Sequence, residues 1–407
     1  MKTRNILWIF LILFLFCFFD AGCLFSLSDT SSKTHELIPY RKGDKWGFCL
    51  PMQSGSGNQN KEIIIPCKYD HAKLLSEGLA AVELNYKWGF IDKTGREVIS
   101  LKYDDAWGFI NGLALVKLNN EYGYVDKEGR KIIPVIYDES GNFSEGLVPV
   151  KLNDKWGFVN SKGNEITPLK YDYANDFSEG LAQIRLNSKC GFVNKEGKEV
   201  ISFKYDNAWG FKEGLALVSL DDKFGFIDNK GKEIISLKYD FAQPFNEGLA
   251  QVGINKKWGF IEREGNEVVP LKYDAVGNFR EELVLVTLDK KSGFIDKEGK
   301  EVISLKYDNA WDFKEGFAAV KINNQWGFVN KEGKEVIPLK YDFASPFSEG
   351  LARVELNGKY GFVDREGKEI ISIKYDDAHV FEDGLALVMF NGNWGYIDKN
   401  GTEYWED

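Results

Sequence analysis

A glycine that returns every 34 residues is the feature that most constrains this chain. Gly89, Gly123, Gly157, Gly191, Gly225, Gly259, Gly293, Gly327, Gly361 and Gly395 follow one another at that interval, without insertion or deletion, and Gly47 precedes the first by 42 residues. A fixed long period means that one supersecondary unit has been copied and stacked. Stacking also accommodates the length. At 407 residues and 43% hydrophobic content the chain is too long for one continuous core, which seldom grows past roughly 250 to 300 residues, whereas an array lengthens without thickening.

Within a copy the periodicity is that of strands. Leu79 to Leu84 alternates at Val82 and Leu84, and Trp88 to Ile91 places Trp88 and Phe90 on one face; Glu97 to Ser100 reads as a third short strand. Turns separate them: Glu77-Gly78, then Asn85 to Lys87, then Asp92-Lys93-Thr94-Gly95, whose aspartate start and glycine end suit a hairpin. Tyr103-Asp104-Asp105-Ala106 and a loop to Phe109 close the unit. Paired helices of the tetratricopeptide kind share the 34-residue period, but most copies carry three glycines, as at Gly214, Gly225 and Gly231, amid Val, Ile, Phe and Tyr. Helix interiors disfavour that composition and strands accept it. The fold class expected is therefore all-β. Ten or eleven copies of a three-stranded unit favour an open superhelix of stacked β-hairpins, with a closed, propeller-like ring as the alternative, because natural rings usually have roughly four to eight four-stranded blades.

Trp46-Gly47-Phe48, Trp88-Gly89-Phe90, Trp156-Gly157-Phe158, Trp258-Gly259-Phe260, Trp326-Gly327-Phe328 and Trp394-Gly395-Tyr396 lie between a Glu-Gly-Leu type turn and an Asp-Lys-Glu-Gly-Lys type turn. Over residues 40 to 403 this pattern resembles the bacterial WG, or KWG, repeat family. The resemblance implies exported or modular β-rich repeats with binding roles, and brings neither catalytic residues nor a cofactor. The tryptophan place is taken by Tyr122, Cys190, Phe224, Ser292 and Tyr360 in other copies, and Glu282 stands where a turn glycine is expected. Ser292 supplies no ring, so local underpacking is expected around it.

The first 22 residues read as a signal peptide. Lys2 and Arg4 precede an apolar run from Ile6 to Phe19, shorter than the roughly 20 residues of a bilayer span. Ala21-Gly22-Cys23 resembles a lipoprotein cleavage box with Cys23 as the acylated residue, although Asp20 stands where such boxes carry an aliphatic side chain. The other reading is an ordinary secretory signal. Either way the chain is expected to be exported, as a lipid-anchored protein facing the periplasm or cell surface, or as a secreted one. Residues 23–36 read as the lipid site and a tether, 37–407 as the repeat array, and Gln53 to Asn60 as a flexible loop in the irregular first copy.

Three further cysteines remain outside the leader. Cys49 and Cys67 occupy places that are apolar in other copies, and Cys190 a tryptophan place, so all three fit a core. In an oxidising compartment Cys49 and Cys67 could instead pair and staple the first copy.

Chemistry is scarce. His35, His71 and His379 are far apart and lack metal-ligand spacing, and nucleophile, phosphate-cradling and EF-hand motifs do not occur. Asp104, Asp206 and Asp308 recur after tyrosine, which invites a metal or glycosidase reading; a residue used by nearly every copy is better explained as a turn or cap. No enzyme activity, cofactor or metal is expected. A net charge of -10 argues against nucleic acid or anionic lipid headgroups as partners, since both attract a positive footprint.

Function is then to be sought where copies differ. Trp107, Trp209 and Trp311 fall in the variable stretch after the Tyr-Asp pair, 102 residues apart. If three copies made one superhelical turn they would form a column suited to a protein partner or to glycan rings. The contrary reading is a three-copy block duplication with the rings packed inward. A non-catalytic scaffold for protein contacts at the cell envelope is the first expectation, with a glycan or cell-wall binding module second. At the far end, Glu403-Tyr404-Trp405-Glu406-Asp407 reads as a cap over a sheet edge.

Overall fold

The structure, a computed structural model, describes residues 37–51 and 62–406. The leader, Cys23, the tether and the loop from Gln53 to Asn60 lie outside the described residues. Within them the secondary structure is strand and turn throughout, organised as eleven small sheets. Ten of these have four strands. Blade 3 shows the pattern: Asp105–Ala106, Leu113–Leu118, Glu121–Asp126 and Lys131–Tyr137, each antiparallel to its neighbour. The unit thus has one strand more than its periodicity suggests. Asp105–Ala106, read as loop, is a two-residue strand paired with Lys117 and Val116.

The glycine that sets the period owes its identity to a close approach. Beside Gly89 the ladder between Lys87–Asp92 and Glu97–Tyr103 shifts register, and a β-carbon there would lie 2.5 Å from the Ile99 carbonyl oxygen and 2.8 Å from the Leu101 nitrogen. Only hydrogen fits such a gap, so glycine survives even where its neighbouring tryptophan does not. The hairpin turn that follows is held by Asp92, whose Oδ1 accepts from the Thr94 and Arg96 amides at 2.9 and 3.1 Å.

Blades are joined by a recurring set of contacts. Phe90 of blade 2 meets Phe109 of blade 3 edge-on at 4.9 Å, and the equivalent pairs run from Tyr124–Phe143 to Phe362–Phe381. Aromatic pairs of this kind contribute about 0.5–1.5 kcal/mol beyond the area they bury. Glu77 reaches from its turn to the Gly112 amide at 3.0 Å and to Lys127 at 3.1 Å in the next blade. Asp104 caps the Asn119 amide at 2.5 Å. The same aspartate geometry recurs at Asp206 and Asp308, so these residues are structural caps.

The array closes on itself. Glu403 bridges Ile397 in blade 11, and the chain then crosses to blade 1, where Trp405–Glu406 runs parallel to Ile38–Lys42 with Trp405 opposite Arg41. The Arg41 amide donates to the Tyr404 carbonyl at 3.1 Å. Leu385 and Tyr404 from the end of the chain share a core cluster with Ile38, Tyr40 and Cys49 from its start. The arrangement is an eleven-bladed, propeller-like ring, not the open superhelix favoured by unit size. Thirty-four residues do supply a fourth strand, because two residues suffice for it. Within the stretch Glu403 to Asp407, expected as a cap over a sheet edge, Trp405–Glu406 covers the edge of the first sheet as its closing strand.

Candidate functional site

Trp107, Trp209 and Trp311 occupy equivalent places in blades 3, 6 and 9, each following the short first strand. The backbone amides of all three donate to the next strand, at Leu115, Leu217 and Ala319, between 2.8 and 3.0 Å. Each indole lies against the aromatic residue in the tryptophan-glycine position of its own blade: Trp107 on Tyr122 at 6.2 Å, Trp209 on Phe224 at 5.8 Å, and Trp311 stacked on Trp326 at 6.2 Å. All three remain 36–37% exposed. A large ring backed by a second ring, with more than a third of its surface in water, is neither core nor a free side chain.

These tryptophans do not form a column. Eleven blades share one turn, about 33° each, so three copies advance roughly a quarter of the ring and leave three separate platforms on one rim. The Trp311 platform is the most elaborate. Phe343 of blade 10 approaches Trp311 edge-on at 6.5 Å and Trp326 at 6.0 Å. Next to it, burial pushes the Asp312 carboxyl up to about 6, against the pull of Arg280. Asp312 lies beside Gly277 of blade 8, where a β-carbon would come within 2.8 Å of its Oδ1. Asp176 and Gly141 repeat this relationship four blades earlier, also at 2.8 Å. In both cases glycine in the Trp107 place admits an aspartate from the following blade. The sequence carried that signal only as a pairing across copies, glycine in one and aspartate 35 residues on, which reading each copy alone overlooks.

Cys49 belongs to the core cluster at the ring's start and Cys67 packs against it, with its thiol donating to the Tyr40 carbonyl at 3.4 Å. Cys190 is fully buried, as a small core substitute should be, and accepts from Gln183 Nε2 at 3.3 Å. At Ser292 the lost ring is compensated by a polar pair: its hydroxyl lies 3.1 Å from that of Thr287, directly opposite in the ladder. His71 stacks on Trp88 at 6.3 Å and His379 meets Trp394 at 5.3 Å, so both contribute to aromatic packing.

A second concave feature lies where the ring closes, a groove of about 750 Å³ lined by blades 11, 1 and 2. Trp46, Trp394 and Tyr396 supply its apolar surface, and Asp44, Glu83 and Asn393 are among its polar groups. In the sequence Trp46 and Trp394 stand out only as members of the repeated Trp-Gly motif. Their exposure to a cavity depends on the first and last copies meeting.

Comparison with known proteins gives one family. The model of the WG containing repeat matches ten successive segments, from 58–88 and 88–122 through to 326–360 and 360–394. No curated protein matches the chain. Among solved structures, one titled as a eukaryotic initiation factor is similar over 69% of this chain and 92% of its own, at 14% identity and a TM-score of 0.44. PorZ, titled as a surface component of the type-IX secretion system of Porphyromonas gingivalis, is similar over 89% of this chain and 63% of its own, at 9% identity and a TM-score of 0.26. Hsv2 of Kluyveromyces lactis covers 62% of this chain and 93% of its own, at 10% identity and a TM-score of 0.31. Similarities this low carry no functional weight.

Proposed function

Because the chain belongs to the family of WG containing repeat proteins, whose unit here spends its recurring residues on joining one blade to the next, we propose that it is a non-catalytic binding scaffold that holds a protein partner on the rim bearing Trp107, Trp209 and Trp311. The observation that carries this reading is the division of labour between positions. Residues that recur, such as Phe90, Glu77 and Asp104, are engaged at blade interfaces. The Trp107 place varies, reading Lys73, Gly141, Asn175, Gln243, Gly277, Ser345 and His379 in other copies, and where it holds an indole that ring stays over a third exposed. Large aromatic side chains with a rigid backing are what interface hot spots are made of. A glycan or cell-wall polymer is the second reading, supported by the same rings, since sugar faces stack on indoles.

On this reading the scaffold is exported and tethered through Cys23, which rests on the basic start, the apolar run and the Ala21-Gly22-Cys23 stretch. Crosslinking in intact cells followed by mass spectrometry tests both parts. The expected result is a protein recovered with the native chain and lost from the Trp107→Ala, Trp209→Ala, Trp311→Ala triple variant, together with an acylated Cys23 peptide. Equal recovery with the triple variant would refute the rim as the contact surface.

A further inference from the structure

The groove at the ring's closure holds an aromatic residue for which the fold gives no reason. Tyr86 is the second residue of the turn between Leu79–Leu84 and Lys87–Asp92, with φ of 61°, and it is 87% exposed. Equivalent turns carry Asn120, Asp154, Ser188, Asp222, Lys256, Lys290 and Asn324 in the same left-handed conformation. None of these is aromatic. Tyr86 puts a ring where the other turns carry polar side chains that stay in water, at a backbone conformation that bulky residues rarely adopt. Tyr86 lines the groove.

The other lining residues specify a chemistry. Trp46 and Tyr396 meet edge-on at 6.0 Å across the seam, whereas the residue in the Tyr396 place of other blades, such as Phe90, Phe158 or Phe362, pairs with a loop phenylalanine of the next blade at about 4.9 Å. Asn393 stands where eight other copies place a lysine that binds the following aspartate, as Lys87 does. The groove therefore offers rings together with amides, Asn85 and Asn393, carboxylates, Asp44 and Glu83, and the Arg41 guanidinium. A cationic ligand would call for acceptors alone, and an anion for donors alone. Hydroxyl groups both donate and accept, so mixed polar groups around aromatic faces match a polyol ring. A volume of about 750 Å³ is in the range of small-ligand sites.

We propose that the seam groove is a carbohydrate-binding site for a short oligosaccharide segment, with Tyr86, Trp46 and Trp394 as stacking surfaces. It is separate from the rim tryptophans of blades 3, 6 and 9, and it stands or falls without them.

The test is calorimetric titration of the full chain with chitobiose, cellobiose and maltose. At least one is expected to bind saturably, weakly as stacking-dominated sugar sites do, and Tyr86→Asn is expected to weaken it at least about tenfold. Asparagine suits the turn, so that variant should melt at the same temperature or higher, which separates loss of site from loss of fold. Asn393→Ala should weaken binding as well, and Trp311→Ala should leave it unchanged. The proposal is overturned if none of the three sugars saturates, if Tyr86→Asn binds as the native chain does, or if Trp311→Ala and not Tyr86→Asn abolishes binding. That last result would instead favour glycan recognition on the rim.

Discussion

Lys87 and Asp104 meet at 2.6 Å where one blade hands the chain to the next. Asp104 is the corner residue between Glu97–Tyr103 and Asp105–Ala106, so its carboxylate joins the middle of one sheet to the turn of the following one, at the Asn119 amide. Eight junctions have this aspartate–lysine pair. At Asp138 and Asp342 the lysine position holds Glu121 and Gln325, and only the cap to Asn153 or Asn357 is made.

Replacing Asp104 with alanine removes a lysine contact and an amide cap together, whereas Asp342→Ala removes the cap alone. Exposed ion pairs contribute little, and a cap about 1 kcal/mol. Both variants are expected to lower the melting temperature by about 1 °C, Asp104→Ala slightly more. Scanning calorimetry checks this, and equal native melting for both would show that the junction does not depend on the corner aspartate.

The lysine hydrogen bonds hold the carboxyls of Asp70, Asp104, Asp172, Asp206, Asp240, Asp274, Asp308 and Asp376 below their usual value of 3.8. A carboxyl whose folded value is lowered contributes stability that is fully present above the unfolded value and lost as pH falls through the folded one. The ring is therefore expected to keep this contribution down to about pH 4 and to lose it progressively below. Melts taken across that range test the sign; a decline beginning well above pH 5 would contradict it.

Asp312 behaves in the opposite sense. Its carboxyl is raised from 3.8 to about 6 by burial, so the folded state binds the proton more tightly and stability declines as pH rises from about 4 through 6. After allowing for partial exposure, the penalty at neutral pH is about 1–2 kcal/mol. Asp312→Asn is expected to melt higher at pH 8 and to lose this slope. Trp311 emission should titrate near pH 6 in the native chain and not in the variant.

Glu282 carries a φ of 75° where the aligned turns have glycine, as at Gly316 with 85°. A left-handed side chain other than glycine costs about 1 kcal/mol. Glu282→Gly should therefore raise the melting temperature by about 1 °C. No rise would mean that the strain is relieved by contacts of the glutamate itself.

Removing Trp405 to Asp407 takes away the strand that pairs with Arg41 and Lys42. The expected outcome is an opened ring with a larger radius of gyration in solution scattering and an edge prone to association. An unchanged radius would mean that the Leu385 and Tyr404 cluster closes the ring by itself.

Much of this fold could be read from spacing and turn chemistry. The glycine interval, the Asp-Lys-Glu-Gly hairpins and the alternation in Leu79 to Leu84 located the strands and the capping role of the aspartates. Closure could not be read, because it depends on a small rotation summed over eleven units and on where Trp405 lands. In eight of the blades the first strand is only two residues long, too short for any periodicity to register. The sites suffered most from reading copies one at a time: Asp312 needs Gly277, and the seam groove needs residues separated by nearly the whole chain.

The closing strand also fixes when this molecule can be finished. Each blade leans on a predecessor already synthesised, so the array can assemble in step with translation. The partner of Ile38–Lys42, by contrast, is translated only after the strands of the eleventh blade. Until it emerges the first sheet presents an unsatisfied margin, so the ring cannot close while the earlier blades are being laid down.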